Sequence, residues 1–256
     1  MAEKILVQGP SGTGKSSAVE FLDPAETFVI CCDKKALPFR GSQKIYKTAR
    51  KPDGSIKYSA SNYVEINSMV DVRVLVSLIA TRRIDIKNIV IDTISHAMVA
   101  SVMRELLNEN WSKYKIFAQE FMDIINDIPN YRSDLFVFIN SHVDEEMVNS
   151  VRHKSFKVPS GKFTKEVVEP ESLFTIVLGS ECQFVENKPV YSFVTQNDGT
   201  NKCKSPKGMF TELRIPNNLN YVRQSIESYY KDEDGPAPLK VEQNPVAAVL
   251  VASDNF

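Results

Sequence analysis

Apolar residues are gathered into short runs along the first three quarters of the chain: Lys4 to Gln8, Thr27 to Cys32, Asn88 to Asp92, Asp134 to Asn140, Leu173 to Leu178 and Tyr191 to Gln196. Runs this short and this uniformly apolar predict buried strands. Between the early runs the period changes to three and four. Met69, Val72, Leu75, Val76 and Ile79 recur at that spacing, as do Phe117, Phe121, Ile124, Ile125 and Ile128. Each of these segments offers one apolar face to a sheet. Strand and helix in alternation predict an α/β fold with a mainly parallel, twisted sheet flanked by helices.

Two stretches break the rhythm. Lys44 to Ala60 alternates around Pro52, Asp53 and Gly54, which predicts a surface hairpin. Glu181 to Gln196 predicts a second hairpin turning at Glu186, Asn187 and Lys188, after a strand that ends near Leu178. A last amphipathic helix is expected over Asn217 to Lys231. Beyond it an Asp- and Pro-rich stretch opens a segment without periodicity. The expected division is one domain over residues 1–231 and a flexible tail over 232–256.

Composition narrows the class. A 256-residue chain that is 43% hydrophobic has enough apolar side chains for a sizeable core. Thirty-one Lys and Arg against 32 Asp and Glu leave a net charge of -1, so an anionic partner must be met by a local patch. Cys31, Cys32, Cys182 and Cys203 show neither metal-site spacing nor a disulfide framework and read as reduced thiols. No apolar run approaches the ~20 residues that span a bilayer, and the chain enters its first strand without a signal segment. The expected location is the cytoplasm, of a cell or of a phage-infected host, with no membrane partner.

Gly9, Pro10, Ser11, Gly12, Thr13, Gly14, Lys15 and Ser16 fit GxxxxGK[ST], after the first strand and before a helix expected over Lys15 to Phe21. The glycines let the backbone curl its amides toward phosphate oxygens, and the following helix, with Ser17 in its first turn, adds its dipole. Lys15 would meet the β- and γ-phosphates of ATP, and Ser16 would bind Mg²⁺. The bland alternative is a glycine-rich turn that holds no ligand.

Mg²⁺ also needs a carboxylate, expected at the end of a strand beside the phosphate-loop strand. Asp92 in Asn-Ile-Val-Ile-Asp-Thr supplies it, although the same residue would also serve as a helix N-cap. Asp33 follows the second strand and is the acidic candidate for orienting or deprotonating water, or else a solvated turn acid beside Lys34 and Lys35. Asn140, Ser141 and His142 emerge at the same sheet edge, either as γ-phosphate sensors or as ordinary cap and loop residues.

The order of these motifs resembles the RecA-like ATPase core over about residues 3–215, and in particular compact phage-type RecA-like proteins of single-strand annealing and recombination. Ile89 to Ala97 resembles the family's acid-bearing strand and turn. Phe136 to His142 resembles its sensor strand, with Ser141 where that family commonly places Gln and His142 next to it. Lys202, Lys204, Pro206 and Phe210 resemble the family's paired lysines followed by Pro and Phe. The resemblance implies that these lysines reach the γ-phosphate of a neighbouring subunit. It also implies a RecA-like P-loop NTPase fold with hairpin additions, and a homo-oligomer, ring or filament.

Between the sensor strand and Leu173 lies a long polar connection, Val143 to Glu171, whose position resembles the family's single-stranded-DNA loop. Arg152, Lys154, Lys157, Lys162 and Lys165 would follow phosphates there, with Phe156 and Phe163 interleaved as aromatics available for stacking. Asp144, Glu145, Glu146 and Glu166 dilute the charge. Ser253 to Phe256 weakly resembles the acidic-aromatic tip of single-strand-binding proteins, which brings such a protein in as a possible partner. The expected function is Mg²⁺-dependent, DNA-stimulated ATP hydrolysis at subunit interfaces in DNA annealing or homologous recombination. The alternatives are a nucleotide-gated loader or regulatory ATP-binding module, and a nucleotide kinase.

Overall fold

The computed structural model describes residues 1–104, 112–148, 150–157 and 169–231. Its strands are β1 (Glu3–Gln8), β2 (Thr27–Cys31), β3 (Tyr63–Glu65), β4 (Asn88–Asp92), β5 (Phe136–Ser141), β6 (Val143–Val148), β7 (Val151–Phe156), β8 (Ile176–Val185), β9 (Lys188–Val194) and β10 (Arg214–Pro216). The helices among the described residues are α1 (Ser42–Ile45), α2 (Met69–Arg82), α3 (Ile94–Arg104), α4 (Ser112–Asp127) and α5 (Leu219–Lys231).

Eight strands form one sheet in the order β10-β9-β8-β1-β5-β4-β2-β3. The six from β8 to β3 run parallel, and β9 and β10 close one edge antiparallel. The central strands are apolar on both faces because helices cover both. Leu6, Phe28, Ile30, Ile89, Ile91, Val137 and Ile139 point into a core shared with α2, α3 and α4. Their alternates Ile5, Val7, Val29, Val90, Phe136 and Phe138 pack with Leu219, Val222 and Ile226 of α5. Each such fully buried side chain contributes roughly 1.5–3 kcal/mol. The parallel strands therefore deliver their carboxyl ends, and the polar residues that follow them, to one edge.

The structure departs from the pattern-based expectations at several places. The acid-bearing β4 is not beside β1, because β5 lies between them. The helix after the phosphate loop is a short 3-10 turn over Ser17–Phe21, and Pro24, which disfavours helix at the residue before it, follows closely. The stretch 44–60 is no regular hairpin. It joins through a single antiparallel bridge, Arg50 to Ile56, between α1 and a 3-10 turn at Tyr58–Ala60.

β8 does not end near Leu178. It runs on to Val185, because β9 pairs with it from Gly179–Val194 to Val185–Lys188. The polar connection after β5 begins as a regular antiparallel hairpin, β6–β7. Residues 158–168, which contain Lys162, Phe163 and Lys165, and the tail 232–256 lie outside the described residues. Among the described residues no helix is long and apolar enough to cross a membrane.

Candidate nucleotide-binding site

The loop from Gly9 to Ser16 leaves β1 at the carboxyl edge of the sheet. The amide of Gly9 donates to the carbonyl of Ser141 (3.2 Å), which ties the loop to the end of β5. Gly12 and Gly14 have φ of 80° and 94°, a region in which a side chain would be strained. Gly9 is required for a different reason. A Cβ there would lie 2.3 Å from Ser180 Oγ on β8. Thr13 Oγ1 closes the loop by donating to the Pro10 carbonyl (2.9 Å) and lies 2.5 Å from Ser180 Oγ.

Lys15 is 5% exposed, and its Nζ donates to the carbonyls of Gly9 (2.8 Å) and Pro10 (2.6 Å). Burial pulls its pKa down to about 8, with Asp92 opposing. The ammonium is thus folded back over the loop, where incoming phosphate oxygens would exchange with the two carbonyls. Ser16 Oγ donates to Asp92 Oδ1 at 2.9 Å. Asn140 Nδ2 (2.8 Å) and Thr93 Oγ1 (3.2 Å) donate to the same oxygen. A cis peptide joins Asp92 to Thr93.

The intervening strand β5 therefore does not separate Asp92 from the loop. It inserts Asn140 as a neutral brace that fixes the carboxylate. Burial raises the pKa of Asp92, and the bonds from Asn140 and Ser16 work against that rise. A serine hydroxyl beside a buried, braced carboxylate fits a hard divalent cation, with Ser16 as direct ligand and Asp92 holding its water. When bound, Mg²⁺ would neutralise charge on the β- and γ-phosphate oxygens.

A cleft of about 340 Å³ opens over this loop, within the range of small-ligand sites. Ser11, Gly12, Gly14, Lys15, Ser16, Ser17, Asp33, Asp92 and His142 all line it. Asp33 is held by the Cys31 thiol (3.2 Å), the Lys35 amide (3.3 Å) and the Lys35 ammonium (3.4 Å). His142 is half-buried, with its pKa lowered to about 4 by burial and by the charges of Lys15 and His96. Its ring meets that of His96 edge to face at 5.4 Å.

Of the three sensor candidates only His142 lines the cleft, and Asn140 is engaged with Asp92. Ser141 is fully buried in β5, and its hydroxyl donates to the His142 carbonyl (2.9 Å). His96 carries no signal in the sequence, since it sits on the first turn of α3 and meets His142 only through the fold. Asn140 is brought in by the order of strands, which no local pattern encodes.

Lys202 and Lys204 do not line the chain's own cleft. Lys202 pairs with Glu169 (2.6 Å), and Lys204 exchanges two backbone hydrogen bonds with Val177 of β8. On the β6–β7 hairpin, Arg152 and Lys157 are exposed, but Arg152 pairs with Glu145 (3.3 Å). The register also sets Glu145 opposite Lys154 and Glu146 opposite His153. Phe156 corrects the expectation of a stacking residue. It is 1% exposed and packs against Phe121 of α4 with ring centroids 5.3 Å apart, so its ring is spent on the core.

A mainly parallel, helix-flanked sheet with a phosphate loop at its carboxyl edge and a braced acid two strands away defines a RecA-like P-loop ATPase. A family model described as an AAA domain matches residues 1–200, and the chain belongs to that family. No curated protein matches the sequence. Among solved structures, a KaiC-like protein from the hyperthermophilic archaeon Pyrococcus horikoshii is similar over 75% of this chain and 77% of its own, at 11% identity and a TM-score of 0.43. So loose a likeness adds nothing to what the strand order already establishes.

Proposed function

We propose that this ATPase is an ATP-dependent, single-stranded-DNA-binding protein of annealing or homologous recombination, hydrolysing ATP where one subunit meets the next. One observation carries the reading. The β6–β7 hairpin is hydrogen-bonded at its base to the nucleotide cleft, through the Lys157 amide and the His142 carbonyl (3.0 Å). On its flank the Lys154 amide donates to the Thr200 carbonyl (2.8 Å), in the loop that carries Lys202 and Lys204. A strand held along Arg152, Lys154 and Lys157 would thus run beside both halves of a composite ATP site.

In that site Lys15 and the loop amides bind the phosphate chain, and Asp33 orients water toward the γ-phosphorus. As the water oxygen bonds to that phosphorus, the bond to the β-γ bridging oxygen breaks and the water's proton passes to Asp33. His142 touches the γ-phosphate and reports its loss to the hairpin. Lys202 and Lys204 of one subunit place positive charge on the phosphate held by the next.

The test is hydrolysis measured with and without a single-stranded oligonucleotide. Stimulation at low salt that declines steeply as salt rises is expected. Failure to bind any oligonucleotide at low salt with ATP and Mg²⁺ would remove the DNA reading. The shared site has its own test. Lys15→Ala and Lys204→Ala subunits, each inactive alone, should regain activity when mixed, because some interfaces then pair an intact loop with an intact lysine. No recovery at any ratio counts against sharing.

A regulatory or loading module is the second reading, favoured by the hairpin's charge. With Arg152 paired to Glu145 and Lys154 facing the same acid across the ladder, the hairpin's surface also suits a protein partner. Assembly driven by a nonhydrolysable ATP analogue without any effect of DNA would select it.

A further inference from the structure

The cleft has two flanks, set by the order of strands about β1. Asp92, Asp33 and His142 come from β4, β2 and β5 on one side, and β8, β9 and β10 lie on the other. If the γ-phosphate end of a nucleotide lies beside Asp92 and His142, its nucleoside leaves the loop toward β9 and β10. One side chain lines the cleft there, and a second lies beside it against the phosphate loop. Tyr191 of β9 lines the cleft and is 38% exposed. Asn217 follows β10 directly.

Both press on the last glycine of the phosphate loop. A Cβ on Gly14 would lie 2.9 Å from Tyr191 Cδ1, 2.9 Å from Asn217 Oδ1 and 3.1 Å from Asn217 Nδ2. The Asn217 Nδ2 group is shielded from solvent and has no hydrogen-bond partner among the described residues. A buried amide donor left unpaired is costly, and such groups recur where a ligand supplies the missing acceptor.

We propose that Tyr191 and Asn217 form the nucleobase subsite of this cleft and that it selects adenine. Tyr191 offers a ring face on which any base stacks. Asn217 offers a donor and an acceptor side by side. Adenine presents the complementary pair, the N7 acceptor and the N6 amino donor, whereas guanine presents two acceptors and leaves the amide oxygen facing one of them. The proposal rests on the nucleotide reading of the phosphate loop and adds to it which residues choose the base.

The experiment is titration of the full chain and its variants with ATP, GTP and inorganic tripolyphosphate, all with Mg²⁺. Tripolyphosphate reports the phosphate loop without a base. The wild type is expected to bind ATP about tenfold or more tighter than GTP, the span of one good bidentate contact. Asn217→Ala should erase that preference. Tyr191→Ala should weaken ATP and GTP alike by roughly tenfold, and Tyr191→Phe should restore both. Tripolyphosphate binding should stay unchanged throughout, which also shows that each variant is folded around an intact loop.

The subsite is overturned if the variants leave ATP binding and base preference as in the wild type. It is equally overturned if ATP and tripolyphosphate weaken together, since Tyr191 and Asn217 would then only buttress Gly14. A wild type that binds tripolyphosphate but ATP no better overturns the subsite and leaves the phosphate site standing. A wild type that binds neither takes the nucleotide reading down with it.

Discussion

Lys15→Met is expected to cut ATP hydrolysis by at least 10²–10³-fold, the scale of losing one preorganised charge at a transition state, and at the same time to stabilise the ligand-free protein. The second effect follows from burial. With only Asp92 in partial opposition, desolvation lowers the Lys15 pKa to about 8 from its ordinary value of 10.5. Between those values the unfolded chain binds more protons than the folded one, so stability rises as pH rises through that window. Below about pH 8 the penalty is present in full, on the order of 3 kcal/mol before the two carbonyl hydrogen bonds are set against it.

Methionine keeps the stem and removes the charge, so a net gain of about 1–2 kcal/mol and a Tm several degrees higher is expected at pH 7. The alkaline gain in stability should be missing from the variant. Nucleotide affinity of the wild type should decline above pH 8, as the free lysine loses the proton that the bound phosphates favour. Thermal melts from pH 7 to 10 and ATP titrations over the same range check both. A variant that hydrolyses ATP normally would show that the loop does not serve phosphate.

The parts of this site that sequence made legible are those fixed by local spacing. Gly12 and Gly14 are legible because a chain that curls into positive φ needs glycine, and Lys15 and Ser16 follow at set distances along the same segment. The chance that Asp92 would meet Ser16 was readable from an apolar run that ends in an acid. That β5 would lie between them was not, because strand order is chosen by how helices cover both faces of the sheet. The brace from Asn140 and the pairing of His96 with His142 are consequences of that order.

Composition misleads where burial decides. Phe156 stands among Arg152, Lys154 and Lys157 and reads as part of a binding surface, yet the last residue of β7 turns under the hairpin to meet Phe121. β8 errs the other way. Gly179 and Ser180 interrupt its apolar run, so the strand reads as finished when it has only left the core. Beyond that point β9 alone holds it, and the polar residues Glu181 and Gln183 are tolerated there.

Asp92→Asn separates metal binding from folding. The carboxylate is buried, and three side-chain donors converge on Oδ1. An asparagine can keep that oxygen as acceptor for Ser16 and Asn140 while placing an amide where Oδ2 would hold the water of a cation. Because burial raises the pKa of Asp92 from 3.8, the folded state holds the proton more tightly than the unfolded chain. Stability conferred by the protonated form is therefore lost as pH rises through the folded pKa, and the ionised form is a cost at pH 7.

Removing that charge should leave the variant at least as stable as the wild type at pH 7, with the cost gone. Hydrolysis should nonetheless fall by 10²–10³-fold or more, because the donors around Asp92 no longer orient a negative charge toward the metal. The discriminating measurement is nucleotide affinity with and without Mg²⁺. The wild type should bind ATP more tightly when Mg²⁺ is added, and Asp92→Asn should bind it equally in both conditions. If the variant kept both its rate and its response to Mg²⁺, the Ser16–Asp92 pair would be a structural clasp. The metal would then have to be held by another carboxylate of the same flank, and Asp33 is the one in place.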